Sequence, residues 1–192
     1  MDLDFSEGHI DGAWPMATEE DLEMYAYRVA GTVAASLLTL SLQHYSLGQD
    51  SKSIERIIRA GGEMGQALQY INIARDVPDD AAIGRVYIPS SWLREEGLHP
   101  RDVVSRPNDA RVTKPKYRLL GKAEGIYRAT EGVMGELPGE VRSPIRTVVE
   151  SYMAIGVMVR AGGSAGSCRM KEELKLPWWR RLIVARRAMS RG

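Results

Sequence analysis

The chain has 192 residues, of which 44% are apolar, so it is long and apolar enough to fold around one core. Its net charge is only +1, and its single cysteine, Cys168, excludes both a disulfide framework and a cysteine-based zinc site. No apolar run approaches the roughly 20 residues that a membrane-spanning helix needs, and no secretory leader is visible, so we do not expect a secreted protein.

The first predicted element is a long helix that follows an N-terminal loop. Residues 1–17 contain glycines and a proline, which favour a loop. Thr18 and Asp21 then have the spacing of a capping box, in which each side chain bonds to the backbone of the other. The apolar period after this point predicts a helix that continues to about Tyr45.

A second long helix is predicted after a short connection. Either Ser51 or Ser53 is suited to cap its N-terminus, and the helical period reaches roughly Val77. Pro78 follows directly. Because proline lacks the backbone N–H that a helix interior uses, we expect the helix to end, kink or restart there.

The rest of the chain is also predicted to be helical. Residues 84–89 (GRVYIP) are expected to be irregular, because the residue before a proline avoids the helical region. A short helix is predicted in SSWLREEG, and two longer ones near 114–136 and 140–161, the last stopped by Gly162-Gly163. No strand-like alternation is present, so the predicted fold class is all-α.

The helix around residues 66–80 carries the most informative pattern. Five polar side chains fall within an arc of about 100° when placed at the helical angle: Gln69, Asn72, Asp76, Asp79 and Asp80. The same arc carries the apolar residues of the preceding turns, so the acids point toward the core, where carboxylates are costly unless paired or bound to metal. Carboxylate and amide oxygens suit Mg²⁺. Pairing of these acids with Arg75 and Arg85, or exposure at a helix end, is the alternative.

Two glycines lie just before the acids on the same face. Gly61 and Gly65 remove side-chain bulk there. This indicates either a channel for a long apolar substrate or a close approach of a neighbouring helix. The sequence leaves both interpretations open.

Three segments resemble motifs of the phytoene and squalene synthase family, in the family's order. NIARDVPDDAAIGRVYIP is similar to its second aspartate-rich motif, YAYRVAGTVA to its tyrosine-containing helix motif, and MDLD to the segment just ahead of that helix. GRVYIP resembles the phytoene branch, and PIRTVVESYMAIG resembles the fungal bifunctional lycopene cyclase/phytoene synthases. The resemblance implies an isoprenoid-synthase-type helical bundle. No first DxxxD motif precedes these segments, so we expect the bundle to be incomplete at its N-terminus and this chain alone to be inactive.

The resemblance also implies roles for single residues. It implies Mg²⁺ as cofactor, with Mn²⁺ as an alternative, and its ligands would be Asn72, Asp76 and Asp80. Residues matching catalytic positions are Tyr25, Asp76 and Asp80. Residues matching diphosphate-binding positions are Gln69, Arg75, Arg85, Tyr152 and Arg169, and those matching the prenyl-tail pocket are Val29, Gly31 and Val33. Two departures are Ala34, where the family usually has glycine, and Pro78, which we expect to displace Asp80 from the side of Asp76.

The function implied by the resemblance is a prenyl transfer in carotenoid biosynthesis. Two geranylgeranyl diphosphates would be joined head to head, through prephytoene diphosphate, to give phytoene, without NADPH. The alternatives are a squalene synthase-like condensation of farnesyl diphosphate with NADPH, and a non-catalytic helical relative that acts in binding or assembly.

The C-terminal segment is strongly basic. Residues 1–168 are predicted to form the helical domain, and residues 169–192, with a net charge of +6, an amphipathic tail. This composition indicates either solvated surface or contact with an anionic membrane surface. Nucleic acid is not expected, because no recognition motif accompanies the charge. We therefore expect a membrane-associated or cytoplasmic protein, joined in its full-length form to an N-terminal membrane-embedded lycopene cyclase region.

Overall fold

The computed structural model describes residues 16–45 and 50–162, and the regular structure within these ranges is entirely helical. The all-α prediction is therefore confirmed. The helices are α1 (Glu19–Ala26), which runs through a π-helical turn (Tyr27–Gly31) into α2 (Thr32–Tyr45), then α3 (Ser51–Ala82), α4 (Ser90–Glu95), α5 (Pro100–Ser105), a 3₁₀ turn (Ala110–Val112), α6 (Thr113–Met134) and α7 (Gly139–Gly162). None of the helices in the described ranges is long and apolar enough to cross a membrane.

Two helix starts show how the local sequence sets the boundaries. The capping box at α1 is confirmed, with Asp21 N donating to Thr18 Oγ1 at 3.3 Å and Thr18 N donating to Asp21 Oδ2 at 2.9 Å. At α3 the predicted serine cap is wrong. Asp50 caps this helix instead, and its Oδ1 accepts a hydrogen bond from Ser53 N at 3.0 Å. A carboxylate satisfies a free N–H of the first turn as a hydroxyl does and also favours the positive end of the helix.

The α3 helix continues through Pro78 and ends at Ala82, so the predicted boundary at Val77 is wrong. A proline inside a helix costs about 3 kcal/mol. The side chains of Val77 and Ala81, on either side of it, are buried in the core. This packing outweighs the local preference. The helix ends where Gly84 takes a positive φ of 73°, which lets Arg85 N donate back to Asp80 O at 2.8 Å.

The α3 helix is the centre of the fold. It contacts α1, α2, α5, α6 and α7. The larger core surrounds its second half and includes Tyr70 and Ile71 of α3 with Leu119 and Leu120 of α6. A smaller core surrounds its first half, where Ile57 packs with residues of α2 and α7 and of the segment between α6 and α7.

Glycines let the π-helical turn and the start of α2 approach α3 closely. A Cβ atom at Gly65 would lie 2.6 Å from the carbonyl oxygen of Ala30, and one at Gly31 would lie 2.9 Å from that of Gly62. Real Cβ atoms are not found at such distances, so a side chain at either position would push the helices apart. Close packing is therefore one reason for the glycines of α3.

The α1 helix is fixed to α6 by a group of charged residues. Lys122 binds the carboxylates of Glu19 and Glu23, the latter at 2.7 Å, and Arg118 binds Glu19 at 2.7 Å. The guanidinium of Arg118 also lies 4.1 Å from the centre of the Trp92 ring. These contacts set the position of α1, and with it that of Tyr25.

Candidate active site

The C-terminal half of α3 places four polar residues along one side: Gln69, Asn72, Asp76 and Asp80. Asn72 Oδ1 is buried and has no hydrogen-bond partner in the described part of the chain. Its amide nitrogen makes only a long contact of 3.4 Å to Gln69 Oε1. A buried oxygen without a partner costs about 1–3 kcal/mol, so such an oxygen is normally satisfied by a bound water, an ion or a ligand.

Asp76 is paired with its neighbour in the chain. Arg75 donates from Nε to Asp76 Oδ1 at 2.7 Å and from Nη2 to Oδ2 at 2.6 Å. The carboxylate raises the pKa of Arg75 above its usual value. Pairing with arginine, one of the alternatives that the sequence left open, is therefore present at Asp76.

Asp80 stays beside Asp76 although Pro78 lies between them. Burial, and then the negative charge of Asp76, raise the pKa of Asp80 to about 6 although Arg85 acts to lower it. Because α3 continues unbroken from Ser51 to Ala82, positions 76 and 80 are four residues apart and lie on the same face. The expected displacement of Asp80 is therefore wrong, because the helix is not broken at the proline.

Tyr25 lies at the same end of α3 and is stacked on Tyr87. The two ring centres are 5.1 Å apart and the ring planes differ by 19°. Burial, and then the Tyr87 hydroxyl and the charge of Asp80, raise the pKa of Tyr25 well above its usual range, so its hydroxyl stays neutral. Tyr87 was not among the predicted site residues. Its position inside GRVYIP is the one signal that could have identified it.

An apolar cavity of about 210 Å³ lies along the preceding turns of α3, between α2 and α7. From Gly61 to Asn72 the helix rises about 16 Å, at roughly 1.5 Å per residue. The cavity therefore begins near the polar residues and extends away from them. Its lining residues are Ala34, Leu37, Leu38, Gly61, Met64, Gly65, Leu68, Met134, Pro144, Ile145, Val148 and Val149. Gly61 and Gly65 thus line the cavity and also allow the neighbouring helix to approach α3 closely.

Residues 1–180 match the family model described as squalene/phytoene synthase. The chain belongs to the squalene/phytoene synthase family. It is 44% identical, over 98% of its length, to a bifunctional lycopene cyclase/phytoene synthase of Arthroderma gypseum, and 43% identical, also over 98%, to one of Aspergillus oryzae. The chain spans about a third of the length of these relatives, 31% and 32% respectively.

Solved structures share the fold of this family member. A dehydrosqualene synthase crystallised with a ligand superposes with a TM-score of 0.76 at 21% identity, covering 93% of this chain and 59% of the other. The squalene synthase HpnC from Alicyclobacillus acidocaldarius gives 0.65 at 22% identity, covering 77% and 53%. The predicted isoprenoid-synthase helical fold is thereby confirmed.

Squalene/phytoene synthases use a divalent metal ion, and the residues of α3 fit one only in part. Within residues 16–45 and 50–162, no three His, Cys, Asp or Glu side chains lie close enough to hold an ion. The unpaired oxygen of Asn72 and the repelling carboxylates of Asp76 and Asp80 do match the oxygen ligands that Mg²⁺ prefers. These three residues are therefore the candidate metal ligands on α3.

The remaining residues implied by the family resemblance lie at different distances from this centre. Tyr152 of α7 is packed against the larger core and acts electrostatically on Arg75, which brings α7 to the site. Arg85 is exposed and acts electrostatically on Asp80 and Tyr25. Arg169, the basic tail and the MDLD segment lie outside the described residues.

The three small residues expected at the prenyl-tail pocket do not line the described cavity. Gly31, at the end of the π-helical turn, is buried against α3, whereas Val29 and Val33 are 45% and 63% exposed. Their role in binding the tail stays a prediction. Ala34, which stands where the family usually has glycine, does line the cavity and places a methyl group in it.

Proposed function

We propose that this chain supplies catalytic helices of a phytoene synthase, which joins two geranylgeranyl diphosphates head to head into phytoene through prephytoene diphosphate. The observation that carries the proposal is the unpaired, buried Oδ1 of Asn72 beside Asp76 and Asp80, at one end of an apolar cavity. Charged and apolar sites that adjoin in this way match a substrate with a diphosphate head and a long hydrocarbon tail. The names of the fungal relatives support the same reaction.

The metal would be held by Asn72, Asp76 and Asp80, with Mg²⁺ as the proposed ion and Mn²⁺ as an alternative. When bound, the ion supplies positive charge that stabilises the diphosphate leaving group. The protein contributes oxygen ligands on consecutive turns of one rigid helix, which fixes their spacing. Because Asp76 and Asp80 repel each other without an ion, a cation between them relieves that repulsion.

Arg75 is placed to bind the diphosphate while it orients Asp76. A guanidinium carries five N–H donors, and Arg75 uses two of them on Asp76. The other donors remain for phosphate oxygens. Gln69, Tyr152, Arg85 and Arg169 are proposed to complete the diphosphate site.

Tyr25 and Tyr87 are proposed to face the carbocation that forms when the diphosphate leaves. Because the pKa of Tyr25 is raised, its phenol remains protonated at neutral pH and does not act as a base. A neutral aromatic ring stabilises a nearby cation through its electron-rich face. The apolar lining of the cavity keeps water away, which would otherwise quench the cation. No step in this scheme requires NADPH.

Membrane contact is a separate part of the proposal. Substrate and product both carry long hydrocarbon chains, so attachment of the basic segment 169–192 to anionic lipid would keep the enzyme near them.

We further propose that residues 1–168 form the helical domain. In the full-length protein, a membrane-embedded lycopene cyclase region would precede it, and the protein would be membrane-associated instead of cytoplasmic.

The test is product formation from a defined substrate. The full-length protein that contains this chain is incubated with geranylgeranyl diphosphate and MgCl₂, the 192-residue chain alone is incubated beside it, and both extracts are analysed for phytoene. Phytoene is expected from the full-length protein and not from the chain alone, with loss of product in Asn72→Ala and no loss in the matched control Asn108→Ala, whose side chain lies in an exposed turn. Squalene from farnesyl diphosphate and NADPH would instead support the squalene synthase alternative. Binding without any product would support a non-catalytic relative.

A further inference from the structure

A second, smaller cavity adjoins the apolar one. It has a volume of about 70 Å³ and lies between α6 and α7. Four side chains line both cavities: Met64, Met134, Ile145 and Val149. These four residues, called the methionine wall below, are therefore the partition between the two spaces.

The two sides of the methionine wall differ in chemistry. The larger cavity is lined almost wholly by aliphatic residues. The far side of the smaller one carries Tyr127, Glu131, Arg142, Arg146 and Glu150. There Tyr127 Oη contacts Glu131 at 3.3 Å and Glu150 at 3.2 Å, and Arg146 lies 3.9 Å from Glu150. A hydrocarbon would have to desolvate these groups to pass them, so the smaller cavity is closed to apolar chains at its outer end.

We propose that the methionine wall sets the length of prenyl chain that the apolar cavity accepts, and that the smaller cavity is additional space opened only when the wall moves. The proposal rests on the proposed function, because it assigns the cavity to the substrate tail. Met64 is only 3% exposed and comes from the central helix α3, whereas Met134 comes from the end of α6. Methionine is unbranched and adaptable, so it fills the partition without rigidly fixing it.

The position of the wall along α3 supports a role in measuring length. Met64 precedes Asn72 by eight residues, which places it about 12 Å along the helix from the unpaired oxygen, at roughly 1.5 Å per residue. A tail whose diphosphate is held near Asn72 and Asp76 therefore points toward the wall. Truncation of a wall methionine would join the two cavities and extend the apolar space by up to the 70 Å³ of the smaller one.

The experiment introduces Met134→Ala and Met64→Ala into the full-length protein that contains this chain and compares each variant with the unaltered protein. Each protein is given farnesyl, geranylgeranyl and geranylfarnesyl diphosphate, and kcat/KM is measured for each substrate. We expect the ratio for geranylfarnesyl over geranylgeranyl diphosphate to rise by about tenfold in either variant, since extra space for a few methylene groups changes discrimination by that order. Met134→Leu retains the bulk and should keep the original ratio, as should Val157→Ala, an exposed residue that lines neither cavity.

A binding measurement separates this proposal from the proposed function. Farnesol, geranylgeraniol and geranylfarnesol carry the tails without the diphosphate, and their binding is followed by the shift in Tm. If Met134→Ala increases the Tm shift for geranylfarnesol and not for the shorter alcohols, the result supports the proposed role of the methionine wall, even if no phytoene is ever made. If all variants rank the three alcohols as the unaltered chain does, or if no alcohol binds, the proposal is overturned. Met134 is only partly buried, so its truncation provides the result if Met64→Ala fails to fold.

Discussion

Arg75 and Asp76, which are neighbours in the chain, form a two-point ion pair at the candidate active site, with distances of 2.7 Å and 2.6 Å. The pair is partly exposed, with side-chain accessibilities of 27% and 32%. Partly exposed ion pairs contribute little to stability. The effect of the pair that the structure shows is to fix the orientation of the Asp76 carboxylate with two of the guanidinium donors of Arg75.

The first prediction concerns Asp76→Asn in the full-length enzyme. We expect turnover to fall by about 100-fold or more, because the change removes a proposed metal ligand and the partner that orients Arg75. Folding should be nearly unchanged, since the pair contributes little to stability. Product formation at low Mg²⁺ and the Tm are the measurements.

Asp109→Asn is the matched control for this prediction. Asp109 accepts from Arg111 in the same two-point manner, with Nη2 to Oδ2 at 2.8 Å, far from α3 in the chain and outside the proposed site. This variant should keep full activity. Equal activity of both variants would contradict the assignment of Asp76.

The second prediction concerns the pH dependence of stability at Asp80. Its pKa of about 6 in the folded chain exceeds the ordinary value of 3.8, so between these values the folded state holds more protons than the unfolded state. Stability of the metal-free protein therefore falls as pH rises from about 4 to 6, and the whole destabilisation is present above pH 6. Asp80→Asn removes the charge and should raise the Tm at pH 7, but not near pH 4.

At Asp109 stability changes with pH in the opposite direction, so this residue serves as the comparison for Asp80. Hydrogen bonds from the Arg111 side chain lower the pKa of Asp109 to about 2, so its carboxylate stabilises the fold above pH 4 and loses that effect as pH falls to 2. Asp109→Asn should thus lower the Tm at pH 7. Thermal unfolding in EDTA from pH 3 to pH 8 measures both variants. A pH-independent gain from Asp80→Asn would show that its carboxylate is not destabilised by burial and by Asp76.

The third prediction concerns the C-terminal segment, which lies outside the described residues. It combines aromatic and aliphatic residues with arginines, a composition typical of an interfacial helix: Trp178, Trp179, Arg180, Arg181, Leu182, Ile183, Val184, Arg186 and Arg187. We expect co-sedimentation with vesicles that contain anionic lipid, weakened by salt. Arg180→Glu with Arg181→Glu should abolish it, and Arg101→Glu with Arg128→Glu, at exposed positions of α5 and α6, should not. Equal co-sedimentation with anionic and with neutral vesicles would contradict the prediction.

The shared face of Asn72 and Asp76 was predictable because it depends only on helical geometry. The position of Asp80 on that face was not, because it requires α3 to continue through Pro78. The contact between Tyr25 and Tyr87 was not predictable in the same way, since it joins two segments about 60 residues apart and depends on how α1 is held against α6. The continuation of α3 through Pro78 likewise depends on tertiary burial, which local propensity does not contain.

The limits of local patterns are clearest at the helix caps and at the glycines. Asp50 with Ser53 was readable as a cap, but two serines in the same segment competed with it. Gly61 and Gly65 indicated either a channel for a long apolar substrate or close packing. The space that the missing side chains leave is shared between the contact with α2 and an apolar cavity, so close packing is confirmed, whereas use of the cavity by a substrate stays a prediction.

The last prediction follows from that shared space and concerns Gly65→Ala. The added methyl would lie 2.6 Å from Ala30 O and 2.8 Å from Ala34 Cβ, and one of these contacts is backbone, which cannot move aside as a flexible side chain does. We expect a loss of about 1–3 kcal/mol in the free energy of unfolding, the usual result of overpacking a core. Gly125→Ala in α6 is the matched control, since nothing lies within 4 Å of its added Cβ, and it should stabilise the chain by about 0.5–1 kcal/mol. Urea unfolding of both variants measures the difference, and a stabilising effect of Gly65→Ala would mean that α2 and α3 are farther apart in solution than in this fold.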